Sequence, residues 1–317
     1  MSIQPKSIIT GGAGFIGSAL ARELLANGEQ RVAIVDNLNS GRLSNLEAVK
    51  DQVEMHLIDI RDFDEVRRVF AGAEVVYHLA AIPSVPRSIK QPVPSHDVNI
   101  NGTFNVYRAA LETGVRRVVF AASSSAYGDT AVLPKTESMA PHPKSPYALQ
   151  KLMGEYYGSV FTSCYGLETV ALRFFNVYGP RQDPSSPYSG VLSLFMKAAL
   201  ARQAPTIFGD GEQSRDFTYV EDVAALVRKA STAPGVAGKV FNAGNGGRYT
   251  LNFLWEEVQK LEGISLPANY GPPREGDVRD SQADTASAVA ELGHAPQFSI
   301  SEGLRHTLDW YRTQHNG

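Results

Sequence analysis

Short apolar runs alternate with segments of helical periodicity along the first half of the chain. The intervening segments carry apolar residues at helical spacing, and two of them end at Gly28 and Gly72, where helices commonly stop. This alternation is typical of an α/β fold with a doubly wound parallel sheet. The predicted strands are 7–10, 31–36, 54–59, 74–80, 117–123 and 168–175.

The second half of the chain has a looser pattern. Loops rich in Pro, Ser and Gly follow residue 176, one further strand is predicted at 239–244, and a capping box between Ser299 and Glu302 opens a terminal helix. We therefore expect a nucleotide-binding domain and a smaller C-terminal α/β domain that binds the substrate. The first is predicted to comprise 1–176 and about 217–248, and the second about 177–216 and 249–317.

Composition then narrows the classes of function. The 317 residues are 43% hydrophobic and 20% charged, which is ordinary for a globular protein with a sizeable core. A net charge of −3 without any basic run argues against nucleic acid as a partner. The single cysteine excludes an intrachain disulfide, and no metal-ligand spacing is visible. With neither a signal-peptide pattern nor an apolar run of membrane-spanning length, a cytoplasmic protein without membrane contact is expected.

Three glycines, Gly11, Gly14 and Gly17, directly follow the first predicted strand and open the first helix. Without Cβ atoms they allow a tight turn and close approach of a pyrophosphate, to which the helix N-terminus offers free N–H groups. Asp36 ends the second predicted strand, where a carboxylate can accept hydrogen bonds from ribose hydroxyls and repel a 2′-phosphate. These features predict a Rossmann-type dinucleotide site; the alternative is a glycine turn beside a solvated carboxylate.

Two neighbouring positions bear on which dinucleotide is bound. Asn37 stands where an NADP enzyme often has arginine, which favours NAD, although Arg42 is close enough in sequence to leave NADP open. Asp59, at the end of the third predicted strand, could reach the adenine or be a surface carboxylate.

Tyr147 and Lys151 lie four residues apart on one face of a predicted helix. A phenol with a pKa of about 10 is a poor base at neutral pH, but an adjacent ammonium stabilises its phenolate. Beside a nicotinamide, such a phenolate can take a proton from a substrate hydroxyl while hydride leaves the carbon. The fifth predicted strand ends in Ser123, Ser124 and Ser125, at the sheet edge where ligands bind. These hydroxyls either orient a substrate or satisfy their own loop.

Taken together, these motifs resemble the extended short-chain dehydrogenase/reductase superfamily, and within it the UDP-sugar 4-epimerases. The resemblance covers nearly the whole chain. The motifs that carry it are TGGAGFIG, VDNLNSG, YHLAA, SVPRSI, NINGT, SSSAYGD, SPYALQK, RFFNVYGPRQDP, GDGEQSRDF and REGDVRDS.

The resemblance implies bound NAD and a UDP-sugar substrate. It assigns Tyr147 as catalytic base, Lys151 as its electrostatic partner and Ser123 as the active-site hydroxyl. Besides Tyr147 and Lys151, the implied cofactor positions are Gly11, Gly14, Phe15, Ile16, Gly17, Asp36, Asn37, Asp59, Ile60, Asn99 and Phe175. The implied substrate positions are Ser124, Asn176, Val191, Thr206, Phe208, Arg215, Arg274 and Ser281.

The reaction implied by the resemblance is 4-epimerisation of a UDP-hexose through a transient 4-keto sugar. Ser281 stands where epimerases restricted to non-acetylated sugars have a bulky tyrosine. UDP-GlcNAc and UDP-GalNAc are therefore expected to be accepted as well as UDP-Glc and UDP-Gal, because removing a steric block widens the substrate range. The resemblance also implies a homodimer that pairs segments 97–113 and 147–163 of each subunit.

Three other classes of protein share parts of this sequence pattern. A nucleotide-sugar 4,6-dehydratase needs an Asp–Glu pair where this chain has Ser124 and Ser125. A UDP-glucuronate 4-epimerase or decarboxylase needs donors for the sugar carboxylate, for which Arg87 and Arg181 are candidates, although Asn176 in RFFN is more typical of neutral-sugar enzymes. A non-catalytic dinucleotide-sensing protein tends to lose the tyrosine, lysine or serine, all of which this chain retains.

Overall fold

A computed structural model describes residues 6–183, 190–273 and 279–315. The strands in chain order are β1 (Lys6–Thr10), β2 (Val32–Asp36), β3 (Val53–Leu57), β4 (Ala73–His78), β5 (Arg117–Ser123), β6 (Glu168–Phe174), β7 (Asn176–Tyr178), β8 (Thr206–Phe208), β9 (Ser214–Arg215), β10 (Phe217–Tyr219), β11 (Lys239–Ala243), β12 (Tyr249–Thr250) and β13 (Asn269–Gly271).

The helices are α1 (Phe15–Ala26), α2 (Phe63–Phe70), α3 (Val85–Lys90), α4 (Pro92–His96), α5 (Thr103–Glu112), α6 (Pro146–Tyr165), α7 (Val191–Leu200), α8 (Val220–Thr232), α9 (Leu251–Glu262), α10 (Ala286–Leu292) and α11 (Ile300–His315). Short 3₁₀ segments occupy Leu43–Gln52 and Ser124–Tyr127, and a π-helical turn occupies Asp97–Gly102. No helix in these described ranges is long and apolar enough to cross a membrane.

Seven parallel strands form the central sheet in the order β11-β6-β5-β4-β1-β2-β3. The predicted doubly wound α/β fold is thereby confirmed, and the predicted strand 239–244 joins the sheet as β11 beside β6. The strand order reverses direction between β1 and β4, and ligands of such sheets bind in the crevice outside the carboxyl ends of strands at this point. A ligand is therefore expected to bind at the loops that follow β1, β4 and β5.

Apolar side chains on the two faces of the sheet form two cores. Because neighbouring residues of a strand point to opposite faces, Ile9 contacts the core beneath α1 and α8 while Ile8 contacts the core beneath α2, α5 and α6. Both side chains are fully buried, as expected for a parallel sheet covered on both sides. This packing fixes the positions of the strand ends that carry the polar residues.

A third core lies outside the sheet. It gathers apolar residues of α7, α9 and α11, among them Phe195, Trp255 and Leu304. The predicted capping box opens α11: the Ser299 backbone N–H donates to Glu302 Oε2 at 2.9 Å, and the Glu302 N–H donates to Ser299 Oγ at 3.3 Å. This helix packs the C-terminal segment against β10 and α9.

Candidate active site

The glycine loop after β1 is closed so tightly that a side chain at Gly11 or Gly17 would collide with backbone atoms. Gly11 has a φ of +73°, and a Cβ there would lie 2.7 Å from the backbone nitrogen of Ala80. A Cβ on Gly17 would overlap the carbonyl oxygen of Gly11. Gly14 is different, because its Cβ would meet only that carbonyl oxygen, at 3.0 Å. Packing therefore does not require glycine at position 14, and the missing side chain there keeps the space in front of the loop open.

Helix α1 begins at Phe15 directly after this loop. Its N-cap, Gly14, makes no side-chain hydrogen bond, so the first N–H groups of the helix, which include those of Phe15 and Ile16, receive no cap from that residue. Such a helix start is a ready anion site. The loop and the helix start therefore fit the pyrophosphate of NAD.

Asp36, the last residue of β2, faces the same loop. Its Oδ2 accepts from the Ala13 N–H at 3.0 Å and its Oδ1 from the Leu38 N–H at 2.8 Å. Burial raises the pKa of this carboxyl, and the two N–H groups oppose the rise. A Cβ on Gly41 would lie 2.8 Å from both carboxylate oxygens, so the residue facing Asp36 leaves it clear. This carboxylate at the edge of the glycine loop fits the ribose end of the dinucleotide.

Two of the remaining predicted cofactor positions are joined by a hydrogen bond at the ends of β2 and β3. Asn37 Nδ2 donates to Asp59 Oδ2 at 2.8 Å, and Arg61 donates to both oxygens of Asp59 at 2.9 Å. This guanidinium lowers the pKa of Asp59 to about 2. Ile60 is buried beside Gly102. The side chain of Asn99 instead bonds to the backbone of Ile82 and to Gln150, and no described polar contact joins it to the other residues of this group.

Arg42, which left NADP open in the sequence, forms an ion pair with Asp183. Its guanidinium is therefore partly neutralised by a carboxylate of the segment that follows β7. This pairing makes Arg42 less available to a 2′-phosphate.

Helix α6 presents Tyr147 and Lys151 on adjacent turns. Its N-cap Ser145 accepts from the Ala148 N–H at 3.2 Å, with proline at the first helical position, and the Tyr147 N–H donates to Ser88 Oγ at 3.1 Å. Lys151 is buried, and its Nζ donates to the carbonyl oxygen of Ala121 at 2.7 Å. The first turn of α6 is thus fastened both by its own cap and by α3.

Ser123 ends β5 beside these two residues. Its Oγ accepts from Ser125 Oγ at 2.8 Å and from the Ser125 N–H at 3.2 Å, and it lies close enough to the Tyr147 phenol to lower the pKa of that phenol. The structure therefore brings Ser123 and Tyr147 together, as predicted. Ser124 begins the 3₁₀ turn that follows and is partly exposed.

Burial perturbs the pKa of both ionisable members of this group. It raises the pKa of Tyr147 to about 12, against the opposing influence of the Ser123 hydroxyl, and lowers the pKa of Lys151 to about 8, against the attraction of Glu155. In the protein alone, Tyr147 is therefore a phenol at neutral pH and Lys151 an ammonium. Additional positive charge near the phenol is needed to make it an effective base.

Three of the predicted substrate positions cluster where β7, β9 and the 279–284 segment meet. Asn176 Nδ2 donates to the Asp216 carbonyl oxygen at 3.1 Å, and the Ser281 N–H donates to the Ser214 carbonyl oxygen at 3.0 Å. Arg215 Nη1 donates to the carbonyl oxygens of Ser214, at 2.9 Å, and Arg279, at 2.8 Å. The structure thus brings Asn176, Arg215 and Ser281 into one neighbourhood.

Four further predicted positions lie in other segments of the described chain. Phe175 packs with Tyr127 beside Ala283, two residues after Ser281. Val191 opens α7, and Thr206 and Phe208 lie in β8, paired with β13. No described polar contact links those three to Tyr147. Arg274 lies outside the described residues.

Asp216 is a residue that sequence reasoning missed. Its fully buried carboxylate accepts from the N–H groups of Asn245, Gly246 and Ala283, at 2.8, 2.9 and 3.1 Å. It thereby fastens the segment that carries Ser281 to the end of β11. The signal available in the sequence was an acidic residue inside GDGEQSRDF, directly before the apolar strand β10.

Comparisons with known proteins agree with this geometry. A family model described as the NAD dependent epimerase/dehydratase family matches residues 7–244. A UDP-glucose 4-epimerase of Mycolicibacterium smegmatis is 38% identical, covering 98% of this chain and 99% of its own length. A UDP-N-acetylglucosamine 4-epimerase from Methanobrevibacter ruminantium M1, solved with UDP-N-acetylmuramic acid, has a TM-score of 0.94 at 35% identity, covering 98% of this chain and 99% of its own. A UDP-glucose 4-epimerase of Thermus thermophilus, solved with NAD, has a TM-score of 0.88 at 36% identity, covering 97% and 99%.

Proposed function

The chain belongs to the NAD dependent epimerase/dehydratase family and is an NAD-dependent enzyme, and from this premise we propose that it interconverts UDP-hexoses that differ in configuration at C4. The observation that carries the proposal is the placement of Ser123, Tyr147 and Lys151 beside the crevice that the glycine loop opens. A dinucleotide fold with a tyrosine, lysine and serine so placed suits reversible oxidation of a secondary alcohol. Full-length relatives named as 4-epimerases support the choice of reaction.

Each residue of the site has a task in this reaction. Bound NAD supplies reversible hydride acceptance at the sugar C4 carbon. Tyr147 takes the proton of the 4-hydroxyl and later returns it, Lys151 stabilises the phenolate by its charge, and Ser123 holds the same hydroxyl through a hydrogen bond. Inverting the carbon requires the keto sugar to present its other face, so the sugar must turn while the UDP part stays bound. We assign the UDP part to Asn176 and Arg215, with Val191, Thr206, Phe208 and Arg274 as further contacts.

The test of this proposal is incubation of the purified protein with UDP-GlcNAc and, separately, UDP-Glc, without added NAD, followed by chromatographic separation of the epimers. We expect UDP-GalNAc and UDP-Gal to appear, because NAD is regenerated in every cycle. UDP-glucuronate serves as a third substrate in the same assay. Failure to form either 4-epimer with NAD present in the protein would contradict the proposal, and preferential turnover of UDP-glucuronate would favour the carboxylate-sugar alternative.

The surroundings of Arg181 do not support it as the donor for a sugar carboxylate. This arginine interacts electrostatically with Arg22, Glu221 and Tyr219, which belong to α1, α8 and the end of β10. No described contact joins it to Tyr147. A donor for a sugar carboxylate is therefore better sought elsewhere, and Arg181 does not support that class.

The substrate range is proposed to depend on Ser281. Its small side chain is partly exposed beside Arg215 and Ser214, which leaves room for a 2-acetamido group. We expect Ser281→Tyr to lower kcat/KM for UDP-GlcNAc by about tenfold or more, while UDP-Glc is affected much less, because added bulk excludes only the larger sugar. Steady-state rates on both substrates measure this. Ser281→Ala is the matched control, and an equal loss on both sugars in Ser281→Tyr would count against steric selection.

We also propose the two-domain division given by the sequence, 1–176 with about 217–248 and about 177–216 with 249–317, and a homodimer. The separate third core supports the division. Exposed apolar side chains on α5 and α6 support self-association, since such surface otherwise remains in water. Those side chains are Phe104, Leu149, Tyr156 and Val160. Sedimentation analysis of the full chain measures the association state.

A further inference from the structure

Behind Tyr147 and Lys151, α6 carries a third ionisable residue on the same face. Glu155 follows Lys151 by four residues, one helical turn, and both side chains are buried. Arg173, on β6, donates its Nε to Glu155 Oε1 at 3.0 Å and its Nη2 to Glu155 Oε2 at 2.8 Å. An ammonium, a carboxylate and a guanidinium therefore stand in a buried group directly behind the proposed catalytic tyrosine.

Stability alone gives little reason for this ion pair. The exposed fractions of the Arg173 and Glu155 side chains are 4% and 2%, so both charges have lost their hydration. Replacing such a pair with apolar residues of similar volume is often neutral or stabilising. Arg173 is further held with its Cζ 4.6 Å from the ring centroid of Tyr127, whose hydroxyl donates to Asn242 Oδ1 at 2.6 Å. The contacts with Glu155 and Tyr127 together fix the position of the Arg173 guanidinium.

Because Arg173 occupies both carboxylate oxygens, Glu155 acts on Lys151 through its charge and without drawing it into an ion pair. No salt bridge between Lys151 and Glu155 occurs in the described part of the chain. Lys151 Nζ instead donates to the Ala121 carbonyl oxygen and lies 5.0 Å from the ring centroid of Phe120. The ammonium thus stays on the side of β5 that leads to Ser123.

The other ionisable groups around Lys151 supply no negative charge at neutral pH. His78 on β4 is buried and neutral, because burial and the charge of Lys151 lower its pKa to about 3. Tyr107 on α5 interacts with Glu155, and Tyr127 in the 3₁₀ turn interacts with Arg173. Burial raises the pKa of both tyrosines, so they remain phenols. The cost of burying the Lys151 ammonium is therefore opposed chiefly by Glu155, which raises its pKa.

We propose that Glu155, clamped by Arg173, is a positioning residue that keeps Lys151 in its ammonium form beside Tyr147. The kinetic consequence rests on the proposed function, whereas the protonation of Lys151 can be measured without it. On this proposal, the function of the Glu155–Arg173 ion pair is to hold a negative charge close to Lys151.

The test compares two variants with a matched control in the full-length protein as purified. Glu155→Gln removes the carboxylate, and Glu155→Gln/Arg173→Met removes the whole pair, so that no unpaired guanidinium is left buried. Glu168→Gln is the control, because Glu168 belongs to a second ion pair between the same two strands. Arg117 begins β5 and Glu168 begins β6, at the ends of the strands away from Ser123 and Arg173. Arg117 is buried, and its Nε donates to Glu168 Oε2 at 2.8 Å. The titration of Lys151 is followed by NMR of ¹³Cε-labelled lysine, with its resonance assigned through Lys151→Arg.

We expect the titration midpoint of Lys151 to fall by about one pH unit or more in Glu155→Gln, by a smaller amount in the double variant, and to stay unchanged in the control. The fall is smaller in the double variant because the repelling guanidinium is gone as well. Should Glu155→Gln not fold, the double variant decides alone. A midpoint equal to that of the wild type in the double variant would overturn the proposal and leave the pair a structural role.

Kinetics supply a second readout. Glu155 has no contact with a proposed substrate position among the described residues, so we expect kcat at pH 8 to fall about fivefold in Glu155→Gln with KM unchanged. A midpoint lowered from about 8 by one pH unit leaves about a tenth of Lys151 as the ammonium at that pH, where the wild type keeps about half. A rise in KM at constant kcat would contradict this. If the wild-type protein proves inactive on UDP-sugars, the proposed function fails, while the lysine titration still decides the role of Glu155.

Discussion

Replacing Tyr147 with phenylalanine is expected to lower kcat for UDP-Glc epimerisation by about 10²–10⁴-fold, the usual contribution of a general acid–base. The change removes one oxygen and leaves the ring in place. The Tyr147 N–H still donates to Ser88 Oγ, and Lys151 still donates to Ala121, so the helix and the glycine loop keep their geometry. The NAD content of the purified protein should therefore stay at the wild-type level. Turnover and the absorbance of released NAD measure the two effects.

Tyr165→Phe is the control for this variant. It makes the same substitution on the same helix, at a side chain that is 59% exposed. We expect wild-type activity there. Wild-type turnover in Tyr147→Phe would show that another group is the base, and a non-catalytic dinucleotide-binding protein would not distinguish the two variants.

The same tyrosine gives the wild-type enzyme an expected pH dependence. Burial raises the pKa of Tyr147 to about 12 and lowers that of Lys151 to about 8, so below pH 8 the pair holds two protons and lacks a base. The form that can act has lost one proton from the pair and holds the Tyr147 phenolate beside the Lys151 ammonium. kcat/KM should accordingly rise between pH 5 and about pH 8. A flat profile across that range would remove the tyrosine–lysine pair from the mechanism.

Gly17→Ala is expected to have the largest structural effect of any single methyl group added to the glycine loop. The new Cβ would overlap the Gly11 carbonyl oxygen and lie 2.7 Å from Gly12 Cα. These are backbone atoms that cannot rotate aside. We expect a loss of about 1–3 kcal/mol in the free energy of unfolding, the usual cost of overpacking, together with loss of bound NAD. Denaturant unfolding and NAD content measure the two.

Two other glycines separate packing from ligand binding. Gly28→Ala adds a methyl group at a φ of +91° with no atom within 4 Å, so it should cost about 1–2 kcal/mol of backbone strain while NAD is retained. Gly14→Ala meets only the Gly11 oxygen at 3.0 Å, so it should change stability little and lose NAD. If Gly14→Ala kept its NAD, this loop would not be the pyrophosphate site.

The parts of the molecule that sequence predicts best are those decided by local pattern. Apolar runs predicted every strand of the sheet because most of its strands are buried on both faces, although the edge strand β3 is partly exposed, and the strand ends placed Ser123 next to Tyr147. Long-range hydrogen bonds were not predictable in this way. Asp216 accepts from N–H groups that lie 29 to 67 residues along the chain, and no periodicity marks such partners.

Charge pairing shows the same limit. Glu155 and Arg173 are separated by 18 residues and lie on a helix and a strand, so their spacing carries no helical or strand signal. Arg42 and Asp183 are 141 residues apart, and their ion pair changed the interpretation of Arg42 from a possible phosphate ligand to a partly neutralised cation. Each of these ion pairs depends on how helices and strands pack against one another, which cannot be predicted from the pattern of a single sequence.

The return of the chain to the sheet at β11 has a practical consequence for dissecting this protein. β11 pairs with β6 along its whole length, from Lys239 opposite Val170 to Ala243 opposite Phe174. A fragment that stops at residue 176 would contain every other strand of the sheet and yet present β6 as a bare edge with unpaired N–H and C=O groups. Such edges recruit other chains and lead to aggregation. The cofactor-binding half is therefore best prepared as a permuted or internally deleted chain that keeps β11, because no single cut yields it intact.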